Sequence, residues 1–141
     1  MNYQLVVIDR PIENWNHPIV KELFPKIIDL KKRCFHSHFE KDYVFADTFD
    51  FLGTHVLICE KTLQGLRPLL TYKMVTDDAA SFYHQNSPIL ECASDFVVHQ
   101  GVLEKWLENK QGTSSYVSSF AVEPDLGAKK KYEVIKVAFE A

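Results

Sequence analysis

Cysteine, basic charge and long apolar runs are all scarce in this 141-residue sequence, and each shortage excludes a class of protein. Cys34, Cys59 and Cys92 are odd in number and form no C-x-x-C pair, so they indicate neither a disulfide framework nor a zinc site. A formal charge of −3 disfavours general nucleic-acid binding, because neutralising phosphates needs a basic surface. The first residues do not show a positively charged start followed by an apolar run, so we expect no signal peptide, and no apolar stretch approaches the roughly 18 residues that span a bilayer. We therefore expect a cytoplasmic protein without a membrane span.

The length and composition fit a single domain over residues 1–141, since 46% hydrophobic and 25% charged residues are ordinary for a globular protein. Alternating and helical apolar patterns predict strands at 3–8, 54–60, 66–75 and 115–122, and helices at 19–35, 79–85 and 97–110. Asn16 is the predicted cap of the first helix, and helical spacing places Lys31 on the apolar face of that helix. Pro25 predicts a kink or a second helix, and Pro68 predicts an edge, a bulge or a strand start. Thr76, Asp77 and Asp78 form a helix-start signature ahead of the helix at 79–85.

The last quarter of the chain predicts a strand, a tight turn and a helix in succession. Residues 115–122 are β-branched, aromatic or small, which favours a largely buried strand, and Pro124 and Asp125 follow as a turn. Apolar residues then recur at helical spacing at Tyr132, Ile135, Ala138 and Phe139. The first N–H groups of such a helix have no partner within it and favour an anionic ligand.

Two segments of the sequence resemble one family. Residues 116–126 resemble the central strand and following loop of the general N-acetyltransferase superfamily, in particular the acyl-homoserine lactone (autoinducer) synthase and N-acyl amino acid synthase branch. Tyr116 stands where that branch carries Glu, and Ser119 stands where it carries Arg. Upstream, residues 30–35 and the Asp-x-x-Asp and strand of residues 47–60 resemble the synthase pattern in the same order.

The resemblance implies an α/β (α+β) fold of the acyl-CoA N-acyltransferase type, with a mixed, mostly antiparallel sheet flanked by helices, of which this chain spans the N-terminal portion. It also implies a coenzyme A thioester or acyl carrier protein as acyl donor and an amine as acceptor. The donor would contact the residues Phe120, Ala121, Val122, Gly127, Ala128, Lys129 and Lys130. The family's usual Arg/Gln-x-x-Gly-x-Gly/Ala loop is incomplete here, so the lysines are alternatively a solvated helix face.

Four further residues are candidates for the chemistry. Asp47 and Asp50 match the family's acceptor side, or alternatively cap a turn before a strand. Glu91 is a candidate general base and Tyr116 a candidate acid or water-holder, or they are a surface carboxylate and a core tyrosine.

A metal site is suggested by histidines and acids that lie close together in the sequence: His36, His38, Glu40, Asp42, Asp47 and Asp50. His36 and His38 would point in different directions on a helix or a strand, so we expect no metal.

Two functions remain open at this level. The first is an acyltransferase-like protein that binds or transfers an acyl group. The second is a non-catalytic interaction or regulatory module on a degenerate version of the same fold. In both, the strand at 115–122 would have an unpaired edge, which predicts a homo-oligomer, a completing partner chain, or pairing with an extended ligand.

Overall fold

A computed structural model describes residues 2–36, 46–90 and 100–140 of the chain. In order, the elements are β1 (Tyr3–Asp9), α1 (Pro18–Phe35), α2 (Thr48–Leu52), β2 (Thr54–Thr62), β3 (Gly65–Thr76), α3 (Asp77–Phe82), α4 (Gln100–Asn109), β4 (Ser115–Val122) and α5 (Ala128–Glu140). The strands form a four-stranded antiparallel sheet in the order β1-β2-β3-β4. The expected mixed α+β architecture, with helices flanking an antiparallel sheet, is confirmed.

Two irregularities interrupt the sheet. In β3, Cys59 pairs with Pro68 and Ile58 with Leu70, so β3 carries one extra residue beside the proline. This is the bulge that was one of the three alternatives predicted for Pro68. In β4, Lys73 pairs with Ser118 and Thr71 with Ala121, so β4 carries the extra residue there.

Helix α1 covers one face of the sheet, called here the α1 face. Its residues Val20, Leu23, Phe24 and Ile27 pack against Ile8, Leu57 and Cys59. The helix is capped by His17, whose Nδ1 accepts from the Ile19 N–H at 3.2 Å, so the predicted Asn16 cap was wrong by one residue. It continues through Pro25 as one element, although proline cannot donate a backbone hydrogen bond.

Helix α5 covers part of the opposite face, called here the α5 face. Val134 and Ala138 pack against Ile58, Leu69 and Leu70. The predicted apolar stripe was therefore wrong in part, because Tyr132 and Phe139 are 69% and 78% exposed. Val134 precedes Ile135 by one residue, so the helix is rotated about its axis relative to the prediction.

Strand β4 is less buried than its composition predicted. Ala121 is fully buried, but Val117 is 56% exposed and Phe120 38% exposed. The reason is its position: β4 is the outermost of the described strands, and the buried residues of α5 pack mainly against β2 and β3. Among the described residues, β4 pairs only with β3, and the unpaired edge stays a prediction.

The end of the β2–β3 hairpin is held by α1. Glu22 Oε1 accepts from the Leu66 N–H at 2.9 Å, and Lys26 Nζ donates to the Leu66 carbonyl at 2.6 Å. The two helix side chains also pair with each other at 3.2 Å. The helix thereby contacts the backbone of the hairpin, not only its side chains.

None of the helices described is long and apolar enough to cross a membrane.

Candidate functional site

Four charged side chains meet on the α1 face of the sheet, and we call them the lysine–aspartate cluster: Lys31 of α1, Lys73 of β3, and Asp47 and Asp50 at the start of α2. Lys31 Nζ donates to Asp50 Oδ1 at 2.8 Å, and Lys73 Nζ donates to the same oxygen at 3.2 Å. Lys73 also lies 3.3 Å from Asp47 Oδ1. The cluster therefore pairs two lysines with two carboxylates.

The two aspartates are positioned by the turn that begins α2. Asp47 is its N-cap and accepts from the Asp50 N–H at 3.2 Å, while Asp50 accepts from the Asp47 N–H at 2.8 Å, which completes a capping box. The alternative predicted for these residues, that they cap a turn before a strand, is thus confirmed. It does not exclude a second role, because the cap also places both carboxylates against the lysines.

The cluster is buried except on one side. The side chains of Lys31, Asp50 and Lys73 are 6%, 1% and 5% exposed, whereas that of Asp47 is 60% exposed. An incoming ligand would therefore meet the Asp47 carboxylate first. Asp50 lies behind it, held by both lysines.

Burial and charge act against each other on the ionisation of this cluster. Burial opposes ionisation of Asp50, but the charges of Lys73 and Lys31, with the bonds from Lys31 and the Asp47 N–H, together lower its pKa. Burial lowers the pKa of Lys31, and Asp50 offsets only part of this effect. Asp50 is consequently the anion that offsets part of the cost of burying the Lys31 charge.

His55 lies next to the cluster on β2 and is almost fully buried. Burial lowers its pKa, so the ring is neutral near pH 7. Its Nε2 lies 2.7 Å from the Asp50 carbonyl oxygen, which makes Nε2–H the donor. The histidine therefore holds the backbone of α2 and adds no charge.

A second buried carboxylate, Glu123, directly follows β4 and was not predicted. It is fully buried and accepts from the Arg33 guanidinium at both oxygens, and Arg67 Nη2 lies 3.5 Å from its Oε2. Its backbone N–H donates to the Leu69 carbonyl at 2.8 Å. Glu123 thus joins the end of α1, strand β3 and the turn before α5. The signal in the sequence is a carboxylate immediately after an apolar strand and before a proline.

The predicted donor-binding residues lie along β4 and the start of α5. The Phe120 ring stacks between Tyr72 and Phe139, with centroid distances of 6.3 and 6.1 Å. Val122 is half-buried and packs against the core under α5, and Ala121, opposite Thr71 in the sheet, is fully buried. The three residues follow the bulge, where Ser119 has a φ of 56°.

The start of α5 offers less positive charge than the sequence suggested. The Gly127 carbonyl accepts from the Lys131 N–H at 3.0 Å, so the helix begins directly after Gly127, and Ala128 and Lys129 are exposed in its first turn. Lys130 instead pairs with Glu60 at 3.0 Å, which neutralises it. Lys129 is the lysine of this pair that an anion could still reach.

The two predicted catalytic residues do not come together as a described pair. Tyr116 is half-buried opposite Val75 in the sheet. It lines a small cavity of about 90 Å³ with Asp77, Ser87, Ile89, Trp106, Ser114 and Ser115. Burial opposes ionisation of Asp77, but bonds from Lys110, Ser87 and the Ser114 backbone lower its pKa. Glu91, as well as His38, Glu40 and Asp42 of the metal hypothesis, lies outside the described residues.

Within the described ranges, no group of three or more His, Cys, Asp or Glu side chains is placed to hold a metal ion. Comparisons with protein-family models, with curated proteins and with solved structures find no match for this chain.

Proposed function

We propose that this protein binds or transfers an acyl group from an acyl-CoA or acyl carrier protein to an amine acceptor. The observation that carries the proposal is the arrangement of β4, the turn after it and α5. Strand β4 has a single neighbour among the described strands, and a helix with an exposed first turn follows it after five residues. The arrangement offers an extended donor both a strand edge and a helix start.

The donor would lie along the outer edge of β4 after the bulge. An extended, amide-containing arm such as pantetheine can add to an unpaired strand edge through backbone hydrogen bonds. Within the part of the chain that the structure describes, residues 120–122 have no strand on their outer side and offer that edge. The phosphates of the donor would then reach the first turn of α5, where free N–H groups, the helix dipole and Lys129 favour negative charge.

The acceptor would bind at the lysine–aspartate cluster. A protonated amine needs an accessible carboxylate, and Asp47 supplies one, since its side chain is 60% exposed while Asp50 is held behind it. Tyr116 and Glu91 remain the proposed groups for proton transfer. Acyl transfer to an amine depends mainly on positioning and on N–H donors to the developing oxyanion, so it does not require a charged catalytic centre.

A thermal-shift titration tests the proposal. Coenzyme A, acetyl-CoA and a long-chain acyl-CoA are each added to the protein at rising concentration. A donor at a hundred times its dissociation constant should stabilise by about 2.7 kcal/mol, which corresponds to a rise of about 8 °C in melting temperature. The absence of any shift with all three compounds, and with an acyl carrier protein, would refute donor binding.

Lys129→Gln, with Lys21→Gln as matched control, tests where the phosphates lie. Both lysines are exposed on helices, and both changes remove one positive charge. Lys129→Gln should weaken coenzyme A binding by several-fold, because one charge-assisted contact is lost, while Lys21→Gln should leave it unchanged. Equal affinities of the two variants for coenzyme A would show that the phosphates do not bind at the start of α5.

The alternative, a non-catalytic interaction or regulatory module, is favoured by one observation. Lys130 is engaged by Glu60, so the start of α5 offers only part of the charge that a phosphate loop needs. Donor binding without transfer to any amine in a panel of amino acids and amines would support this alternative.

A further inference from the structure

A cavity of about 610 Å³ lies between the second half of α1 and the end of the β2–β3 hairpin. Helix α1 lines it with Lys26, Asp29 and Arg33, and the hairpin lines it with residues 62–64 and 66–68. The volume falls in the range of about 300–1,000 Å³ that is usual for small-molecule sites. None of these residues belongs to the donor or acceptor site proposed above, so the function proposed there leaves the cavity without a role.

The wall of the cavity carries more positive than negative charge. Lys26, Arg33 and Arg67 contribute three cations, and Asp29 contributes the one carboxylate among the lining residues that the structure describes. The cations are also paired with carboxylates of the chain, as Lys26 is with Glu22 at 3.2 Å, so the excess of positive charge is local and modest. A ligand held here therefore needs directed hydrogen bonds as well as negative charge.

The two arginines of the cavity are anchored from the buried side by Glu123. This fully buried carboxylate accepts from Arg33 at both oxygens, and Arg67 Nη2 lies 3.5 Å from its Oε2. The guanidinium groups are thus fixed next to each other, while 40% of the Arg33 side chain and 46% of that of Arg67 stay exposed. In the described part of the chain, Arg33 Nη2 and Arg67 Nε make no hydrogen bond. An oxyanion can use both of these donors.

The rest of the wall is largely apolar. Leu63 at the tip of the hairpin is fully exposed, Leu66 is half-buried and Pro68 is buried, and all three line the cavity. Packing an apolar group against Leu63 would remove its side chain from water, which is favourable. The wall therefore fits a ligand with an apolar part next to its anionic group.

We propose that this cavity binds a small amphipathic anion, with its carboxylate or phosphate group at Arg33 and Arg67 and its apolar part against the hairpin. Carboxylate and phosphate share the pair of oxygens that matches a guanidinium fork. The ligand contacts both the helix and the hairpin, and it joins them in addition to the hydrogen bonds that α1 already makes to the Leu66 backbone. This site does not depend on the acyl-transfer proposal.

An NMR titration with hexanoate, hexyl phosphate, hexylammonium and hexanol tests the charge and the head group, since the alkyl chains are of similar length. Each compound is added to millimolar concentration at constant ionic strength, because salt screens exposed charges. The two anions should shift the backbone amides of residues 62–67 and the Nε–H signals of Arg33 and Arg67, and the tighter anion identifies the head group as carboxylate or phosphate. No shift with either anion, or equal shifts with hexanol or hexylammonium, would overturn the proposal.

Gln64→Glu, with Gln111→Glu as matched control, tests the location. Both glutamines are exposed, and both changes add one negative charge without touching the contacts of Glu123. Gln64 lines the cavity, whereas Gln111 lies shortly before β4, the start of which pairs with the other end of β3. Gln64→Glu should weaken binding of the hexyl anions several-fold, while Gln111→Glu should leave it unchanged. Equal affinities of the two variants would place the anion elsewhere and overturn the proposal.

Arg67→Lys, with Arg10→Lys as matched control, tests the role of the guanidinium fork. Lysine keeps the positive charge beside Glu123 but offers no fork. Arg10 is 40% exposed and follows β1 at the end of the sheet opposite the hairpin. Arg67→Lys should weaken anion binding several-fold and Arg10→Lys should not, and melting curves show whether both variants fold. If Arg67→Lys does not fold, the contrast between Gln64→Glu and Gln111→Glu decides. Wild-type affinity of a folded Arg67→Lys for both anions would overturn the placement of the head group.

Discussion

Removing the charge of Asp50 is the sharpest test of how the lysine–aspartate cluster contributes to stability. Asp50→Asn keeps the shape of the side chain but takes away the anion that two buried lysines share. Breaking a buried ion pair on one side typically costs about 3–5 kcal/mol, because it leaves an uncompensated buried charge. We expect a loss in that range here, since both lysines are at most 6% exposed and lie 2.8 and 3.2 Å from the same oxygen.

Two further variants isolate the cause of this loss. Asp47→Asn should cost less than about 1 kcal/mol of the free energy of unfolding, because asparagine caps a helix about as well as aspartate and only the ion pair of a 60% exposed carboxylate with Lys73 is lost. Lys31→Met should leave the free energy of unfolding nearly unchanged. It removes a buried ammonium group whose pKa is already lowered by burial, and Lys73 still pairs with both carboxylates. In the double variant Asp50→Asn/Lys31→Met, part of the lost stability should be recovered, because one of the two uncompensated buried charges is gone.

Urea unfolding at several pH values measures the free energy of unfolding of all four variants. Because the pKa of Asp50 is lowered on folding, its contribution is present above the unfolded value of about 3.9 and is lost as the pH falls through the lower folded value. The difference between wild type and Asp50→Asn should therefore be largest near neutral pH and shrink below about pH 4. A loss under about 1 kcal/mol at pH 7, or strict additivity with Lys31→Met, would refute the reasoning.

Three further predictions concern positions outside the cluster. Glu123→Gln should destabilise by about 1–3 kcal/mol in urea unfolding, less than Asp50→Asn, because Arg33 and Arg67 are 40% and 46% exposed and can turn to water. Ser119→Gly should raise the free energy of unfolding by up to about 1 kcal/mol, since a φ of 56° strains any residue with a Cβ; a decrease would show that the serine hydroxyl matters more than the strain. Gly53→Ala should lower the melting temperature markedly, because the alanine Cβ would lie 2.8 and 2.9 Å from two backbone oxygens. An unchanged melting temperature would mean that the backbone of this turn can shift at little cost.

Features set by neighbouring residues were predictable from the sequence. The Thr76 cap followed by Asp77 and Asp78 predicted the start of α3, and the Thr76 side chain does accept from the Ala79 N–H at 3.1 Å. Pro68 marked the irregularity in β3 because proline cannot take part in a regular strand ladder. Lys31 was placed on the apolar face of α1 by helical spacing alone, and it is buried there.

The charged sites were not predictable, because they depend on how distant segments pack. Lys31 and Asp50 are 19 residues apart and Asp50 and Lys73 are 23, and they meet only when α1 lies across the sheet. The same holds for Arg33 and Glu123, 90 residues apart. The rotation of α5 was ambiguous for a related reason: apolar residues at two helical registers could each face the sheet, and contact with Leu69 and Leu70 selects the one with Val134.

The hydrogen bonds from α1 side chains to the Leu66 backbone have a consequence for local unfolding. A strand end normally frays first, since its last backbone groups have few partners. Here a carboxylate from Glu22 and an ammonium from Lys26 stand in for the carbonyl and N–H of an adjoining strand. We therefore expect the hairpin end and α1 to open together. The Leu66 amide should exchange with solvent deuterium at the rate of the amides in the middle of α1, so that helix and hairpin behave as one cooperative unit.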